Sequence, residues 1–267
     1  MEQFVGKVGD GDRKAVIAIC TLSNISNKAY STHLQFAYRL AKDNPDFQFL
    51  LFCPYRMSIA NFRNTAAATA LQIEAEYLMF VDDDAVLIES PSMFKALKDK
   101  IDEDEDKHII MPVVYVRGYP FSPMFFKREE VDGKKALGFY EDWEEQPVDE
   151  NNLLEVTAIG CHTCLIKVEV FKALEEPYFL TGMYSTEDVY FCMKCRDYIE
   201  NIGIYVATDI ESSHLLDPLY VNSGNVETLR KLYEDLGFDS TININELFGQ
   251  QDGVEKELKS MGEDFEK

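Results

Sequence analysis

The sequence predicts an α/β fold: a doubly wound, mostly parallel sheet with flanking helices and a helical C-terminal extension. Two observations carry this prediction. Short apolar runs rich in β-branched residues alternate with helical patterns over residues 14–116, and this alternation is typical of parallel strands joined by helices. The length of 267 residues and the hydrophobic content of 46% fit one large domain with its own core.

The first half of the chain supplies four predicted strands and three predicted helices. The third strand ends abruptly in Asp82, Asp83 and Asp84. Because ligands bind at the carboxyl ends of the strands in such sheets, these aspartates are expected at a functional edge. The strands are predicted at residues 14–20, 47–53, 77–81 and 108–116, and the helices at 32–42, at 58–74 and from a start at Ser90 and Pro91 through Leu97.

The second half is less regular. Residues 117–152 mix Pro, Gly, aromatic and acidic residues, which predicts an irregular insert over the site, with Trp143 either contacting an acceptor or packing on the body. Strand patterns return at 154–160 and from 164, where they lead into a helix that stops near Pro177, and a strand pair is predicted at 204–217. Helices are predicted at 187–200, after Ser185 and Thr186, and beyond residue 221. The predicted division is a catalytic domain at 1–220, with halves at 14–116 and 117–220, and an extension at 221–267.

Composition restricts the function classes. The chain has 26 basic and 48 acidic side chains, a formal net charge of −22. That charge argues against an electrostatic grip on nucleic-acid backbones or anionic lipid, although a small basic patch could still reach a flipped base. No apolar run is long enough to insert into a membrane, and no secretory signal pattern is present. Six cysteines without a dense framework predict reduced thiols and a cytoplasmic protein.

The three aspartates predict a cation site. Adjacent carboxylates repel one another, and a divalent cation relieves that repulsion. Asp82 and Asp84 lie two positions apart, so an extended segment places both on one side, where they would supply the carboxylates that Mg²⁺ or Mn²⁺ prefers. The alternative is an acidic turn without a ligand.

Four segments together resemble a known family. RNTAAATALQIEAEYLMFVDDDAV is similar to the nucleotide-sugar-binding half of GT-A-fold glycosyltransferases, including its DxD motif, and AIGCHTCLIKVEVFKALEEPYF resembles the acceptor-side segment. TEDVYFCMKCRD resembles the Glu-Asp motif at a helix start, and SSHLLD resembles the late metal-binding histidine. Over residues 15–217 the chain resembles inverting, family 2-like members of this group, and a GT-A-like fold is the expectation that follows.

The resemblance implies roles for individual residues. It implies that Asp84 and His214 bind the metal, and that Asp82 shares the metal or contacts the donor ribose. Asp188 matches the general base, with Glu187 as its neighbour, although both could instead serve only as first-turn acids of a helix. The donor-binding residues implied are Thr21, Ser23, Arg63, Asn64, Asp82 and Asp83. His33, His108 and His162 have no support from the motifs.

The expected activity is transfer of a sugar from a nucleoside-diphosphate donor, UDP above all, to an acceptor hydroxyl with inversion. The acceptor is a saccharide, a protein or a modified nucleic-acid base, and the oligomeric state is not predicted. Such a transfer needs Mn²⁺ or Mg²⁺ to neutralise the leaving diphosphate, and a carboxylate to take the proton of the acceptor.

Other classes stay open. A metal-dependent phosphatase would want Thr where this chain has Val86, and a nucleotidyltransferase would want glycines after the first strand, where TLSNISNKAYS has none. A non-enzymatic, zinc-stabilised binding module is the third alternative. Two CxxC pairs would supply its four thiolates, but their apolar surroundings favour buried thiols. These cysteines are Cys161, Cys164, Cys192 and Cys195.

Overall fold

The computed structural model describes residues 3–21, 25–54, 57–87, 91–131, 134–182, 185–216 and 219–235. Within these ranges the chain is a mixed α/β protein with a large, mostly parallel sheet and six helices. The strands are β1 (Gln3–Val8), β2 (Arg13–Cys20), β3 (Phe47–Pro54), β4 (Tyr77–Asp82), β5 (Ala85–Leu87), β6 (Lys107–Val113), β7 (Phe125–Val131), β8 (Lys134–Phe139), β9 (Leu153–Glu155), β10 (Ala158–Ile159), β11 (Thr163–Lys167), β12 (Gly203–Leu216) and β13 (Leu219–Val221). The helices are α1 (Asn27–Asp43), α2 (Ile59–Gln72), α3 (Met93–Ile101), α4 (Glu169–Lys172), α5 (Glu187–Tyr198) and α6 (Val226–Asp235).

The central sheet has the order β1-β3-β2-β4-β11-β6-β12-β13, with β5 and β9 also paired to β12. Strands β3, β2 and β4 are parallel, and so are β6 and β12, whereas β11 runs antiparallel between β4 and β6. The predicted fold class is therefore confirmed. Because β2, β4, β6 and β12 share one direction, their carboxyl ends meet along one edge of the sheet.

The sheet separates two hydrophobic cores. Strand β2 alternates between them, since Val16 and Ala18 pack into one core and Ala15 and Ile17 into the other. Helix α2 presents small residues to the sheet, and Ala66 is fully buried there. A helix with alanine on its inner face can approach a sheet closely, and this brings the α2 side chains near the carboxyl edge.

Several predicted elements need correction. The helix expected to open at Ser90 and Pro91 begins at Met93, and the side chain of Ser92 caps it by accepting from the Lys95 N–H at 3.4 Å. Ser90 lies outside the described residues. The strand pair predicted at 204–217 is the single long strand β12, with β13 beside it, and strand β1, which pairs antiparallel with β3, was not predicted.

Residues 117–152 are not the irregular insert that composition predicted. Strands β7 and β8 form an antiparallel hairpin, and β10 extends it to a three-stranded sheet. Charged residues on the hairpin hide its alternation in the sequence. Trp143, in a 3-10 turn (Trp143–Glu145), packs edge-on against Phe125 with ring centroids 5.8 Å apart, which agrees with packing on the body.

Helix α6 is the described part of the predicted C-terminal extension. Its apolar residues Val226 and Leu229 are buried in the larger core, and the Tyr233 ring stacks on Tyr119. The domain boundary at residue 220 stays a prediction, and residues 236–267 lie outside the described ranges. Among the described residues, no helix combines the length and the apolar character needed to cross a bilayer.

Candidate active site

Three potential metal ligands converge at the carboxyl edge of the sheet. Asp84 follows β4, His162 precedes β11, and His214 lies on β12. The Asp84 Oδ2 atom is 3.1 Å from His214 Nε2, and Asp84 Oδ1 is 3.6 Å from His162 Nε2. The three ligand atoms all lie within 4.8 Å of one another, so they form a possible metal site.

Strand pairing brings these three segments together. In the register of β5 with β12, His214 is the partner of Ala85, the residue directly after Asp84. In the register of β11 with β4, Thr163 is the partner of Val81, and the carbonyl of His162 accepts from the Asp82 N–H at 2.8 Å. The convergence is therefore a property of the sheet and not of a loose loop.

The hydrogen bonds of the two imidazoles suit metal binding. The Tyr115 carbonyl lies 3.0 Å from His214 Nδ1 and can only accept, so Nδ1 carries the proton and a neutral His214 turns the Nε2 lone pair towards Asp84. Ligating histidines typically have such a carbonyl partner on the second nitrogen. Among the described residues, the buried His162 Nε2 has no hydrogen-bond partner. Burial, and then the neighbouring His214, lowers the pKa of His162 well below 6.5, which keeps its ring neutral.

Asp84 is held in its ionised form. Burial by itself would raise its pKa, but the hydrogen bond with His214 and the charges of His214, His162 and Arg117 outweigh it and lower the pKa to about 2. A carboxylate and two imidazole lone pairs thus face one point. This donor set fits a divalent cation, which would relieve their mutual repulsion.

A second cluster, centred on Arg63, adjoins the first. Arg63 extends from α2, and its side chain is 2% exposed. Its Nη1 atom lies 2.6 Å from Glu187 Oε1 and 3.8 Å from Asp188 Oδ2, and its Nη2 atom lies 3.7 Å from Asp82 Oδ1. Although burial would lower its pKa, the surrounding groups raise it, chiefly Cys161, Asp82 and the two α5 acids, so the guanidinium stays charged. One cation faces three carboxylates.

Asp82 does not join the cluster of three potential ligands. Its side chain is 21% exposed, but the Oδ1 atom itself is buried and has no hydrogen-bond partner within the described ranges. Burial raises the pKa of Asp82 to about 8, and Asp84, Asp83 and Asp188 add to the shift against the opposing charge of Arg63. The edge is therefore short of positive charge at this point.

The two acids at the start of α5 differ in their surroundings. The Glu187 carboxylate is paired with Arg63, and burial raises its pKa while Arg63 opposes the shift. Asp188 is more exposed, at 13% against 8% for Glu187. Its Oδ2 atom accepts from the Cys161 N–H at 3.3 Å, and its Oδ1 atom accepts from the Val189 N–H at 2.8 Å. The hydroxyl of Thr186 also donates to Oδ1. Asp188 is thus fixed against the turn that carries His162.

The remaining predicted donor-binding residues are placed as follows. The Asn64 amide is engaged with backbone: its Oδ1 atom accepts from the N–H groups of Tyr178 and Phe179 at 2.8 and 3.0 Å, and its Nδ2 atom donates to the Phe179 carbonyl at 2.6 Å. Asn64 therefore anchors the segment after Pro177. The Thr21 hydroxyl lies 3.5 Å from Cys53 Sγ, and the Asp83 N–H donates to the Cys20 carbonyl at 3.0 Å. Ser23 lies outside the described residues.

The cysteines of the two CxxC pairs are buried and free. Within the part of the chain that the structure describes, they do not assemble into a group of three or more metal ligands. Burial raises the pKa of Cys192 to about 12, which is the behaviour of a thiol packed in a core. This placement favours buried thiols over a structural zinc site.

The sequence interpretation missed two residues, His162 and Arg117. His162 had no motif to support it, and its one signal was a place directly before a strand pattern. Arg117 was counted within the irregular insert, but its Nη1 atom lies 2.7 Å from Asp84 Oδ2. Both residues join the site through contacts between segments that are distant in the chain.

No protein-family model matches the sequence, and no curated protein matches it. Three solved structures can be superposed on the chain. A crystal structure of A197 from STIV is 19% identical, covers 77% of this chain and 86% of its own, and has a TM-score of 0.48. A structure of GalNAc-T7 with UDP, GalNAc and Mn²⁺ is 11% identical over 83% of this chain and 48% of its own, with a TM-score of 0.47, so this chain spans about half of that one. UDP-glucose pyrophosphorylase complexed with UDP-glucose is 8% identical over 84% of this chain and 99% of its own, with a TM-score of 0.45.

Proposed function

We propose that this protein is a metal-dependent glycosyltransferase. It moves a sugar from a nucleoside-diphosphate donor, with UDP as the first candidate, to an acceptor hydroxyl with inversion. The observation that carries the proposal is the convergence of Asp84, His162 and His214 on one point beside the carboxylate of Asp188. A cation site and a fixed carboxylate at one sheet edge are the two parts that such a transfer needs.

The donor set favours Mn²⁺ over Mg²⁺. Two imidazole nitrogens and one carboxylate oxygen are the available ligand atoms. Mg²⁺ prefers oxygen ligands throughout, whereas Mn²⁺ accepts both kinds and still coordinates phosphate oxygens well. When bound, the cation would act as a Lewis acid that neutralises the charge developing on the leaving diphosphate.

Asp188 is the proposed general base. It takes the proton from the acceptor hydroxyl as the new bond to the sugar forms. Hydrogen bonds from the N–H groups of Cys161 and Val189 orient its carboxylate, and its partial exposure leaves it reachable from the cleft. Glu187 balances the charge of Arg63, and Arg63 in turn donates to the Cys161 carbonyl at 3.3 Å and so steadies the turn next to His162.

Other reaction classes fit the donor set less well or differently. Phosphatases and nucleotidyltransferases that use Mg²⁺ rely on oxygen ligands, so the two imidazoles count against them. Two histidines and one carboxylate also form the facial triad of Fe(II) oxygenases. That alternative predicts no response to nucleoside diphosphates, and the same experiment therefore separates it from the proposal.

The test is a thermal-shift and calorimetric screen of UDP, GDP, CDP and ADP, and of their sugars, each with Mn²⁺ and with EDTA. We expect one diphosphate to stabilise the protein only when Mn²⁺ is present. Asp84→Asn should remove this stabilisation without unfolding the protein, while the exposed Asp12→Asn serves as the matched control. Stabilisation that survives EDTA or Asp84→Asn would overturn the metal assignment, and no response to any nucleotide would overturn the donor class.

A further inference from the structure

Arg117 is a cation placed directly on a proposed metal ligand. Its Nη1 atom donates to Asp84 Oδ2 at 2.7 Å, and its side chain is 60% exposed. His214 Nε2 approaches the same oxygen at 3.1 Å. A half-exposed arginine gains little from an isolated ion pair, so stability alone does not account for its position.

The segment that carries Arg117 is held in place from both sides. The Val116 N–H donates to the Ser122 carbonyl at 2.9 Å, which closes the segment into a tight loop. From α6, Arg230 Nε donates to the Pro120 carbonyl at 2.8 Å. The Tyr119 ring, on the same loop, stacks on Tyr233 of α6, as described above. The loop backbone is therefore fixed, and rotation of the Arg117 side chain is the available movement.

Charge makes that movement necessary once a cation is bound. The cation and the guanidinium would compete for Asp84 Oδ2, and both are positive, so they repel at contact distance. An anion that contacts both removes the conflict. A diphosphate has enough oxygens to ligate the metal on one side and to accept hydrogen bonds from a guanidinium on the other.

We propose that Arg117 is a diphosphate-binding residue that also couples the metal to the donor. Without ligands it pairs with Asp84 and weakens binding of the free cation. With a cation and a diphosphate it turns from Asp84 to the phosphate oxygens and strengthens the ternary complex. The inference deepens the proposed function and rests on it, because it requires that Asp84 binds a metal and that the donor carries a diphosphate.

The two effects of Arg117 have opposite signs, which gives a distinctive test. Isothermal titration measures the Kd of Mn²⁺ for the protein alone, and the Kd of inorganic diphosphate for the protein saturated with Mn²⁺. In Arg117→Ala we expect Mn²⁺ alone to bind about threefold or more tightly, because its competitor is gone. We expect diphosphate to bind about tenfold more weakly, because one charge-assisted contact is lost.

Two further variants complete the experiment. Arg117→Lys keeps the charge but not the forked donor geometry, so its diphosphate affinity should lie between those of the wild type and Arg117→Ala. Arg128→Ala removes an exposed arginine of β7, and both Kd values should stay at their wild-type values. Because Arg117 is exposed, its variants should fold, and circular dichroism verifies this.

The outcomes distinguish this inference from the proposed function. If the wild type binds Mn²⁺ and diphosphate but Arg117→Ala leaves both affinities unchanged, or shifts both in the same direction, the role of Arg117 is refuted and the proposed function stands. If the wild type binds no Mn²⁺, or binds Mn²⁺ but no diphosphate, the proposed function fails and the role of Arg117 fails with it.

Discussion

Replacing Arg63 is the sharpest test of how the site is held together. The resemblance to glycosyltransferases assigns Arg63 to the donor nucleotide, but the structure buries it among three carboxylates. Arg63→Met keeps a long, flexible side chain and removes the charge and the hydrogen bonds. The Glu187 carboxylate, 2.6 Å away in the wild type, then loses its counter-charge inside the protein.

The expected loss of stability is large. Removing one partner of a buried ion pair costs about 3–5 kcal/mol, because the remaining charge stays desolvated. For a chain of this size, each kcal/mol lowers the Tm by about 2–4 °C, so the Tm should fall by about 6–20 °C. Arg128→Met, at an exposed position, should stay within about 0.5 kcal/mol of the wild type.

The loss should depend on pH, and the sign follows from Glu187. Burial already raises its pKa, and without Arg63 the folded-state pKa rises further above the unfolded value. A carboxyl with a raised pKa takes up a proton in the folded state, so its cost is least below the unfolded pKa of about 4.3 and grows as the pH rises through the folded pKa. Arg63→Met should therefore be more destabilised at pH 8 than at pH 5, by up to about 1.4 kcal/mol per pH unit for one proton.

Urea unfolding followed by circular dichroism, at pH 5 and pH 8, measures these differences. Adding Glu187→Gln to Arg63→Met removes the unpaired charge and should recover at least about 1 kcal/mol at pH 8. The reasoning is refuted if Arg63→Met costs less than about 1 kcal/mol at both pH values and Glu187→Gln gives no recovery. Arg63 would then be solvated and available to a ligand.

Three further outcomes test the site and the core. Asp188→Asn should bind Mn²⁺ and the donor as the wild type does but lower kcat by about 10²–10⁴-fold, and an unchanged kcat would leave Asp188 only its contacts to the backbone. His162→Ala should weaken Mn²⁺ binding in calorimetry by about tenfold or more, whereas His108→Ala should not, and equal affinities would remove His162 from the ligand set. In the folded protein a thiol reagent should reach Cys53 alone, since the other five free cysteines are buried, and should reach all of them in urea; rapid native labelling of Cys192 would contradict its raised pKa.

The amino-acid sequence by itself determined the α/β class and most of the elements that build the edge. Apolar alternation and helix-start residues are local signals, so β2, α2 and β4 could be placed to within a few residues. The end of β4 at Asp82 also placed the aspartates at the carboxyl edge before any coordinates were considered. The hairpin of β7 and β8 escaped this approach, because its charged residues obscure the period of two on which strand prediction depends.

Only the tertiary structure decided which side chains form the site. His162 joins Asp84 through the pairing of β11 with β4, and Arg117 reaches Asp84 from the loop after β6. Arg63 becomes the centre of a buried ion cluster because α2 packs closely on the sheet beside the start of α5. Each contact joins residues far apart in the chain. Strand register, helix approach and desolvation set such contacts, and these are properties of the whole fold that local sequence periodicity does not encode.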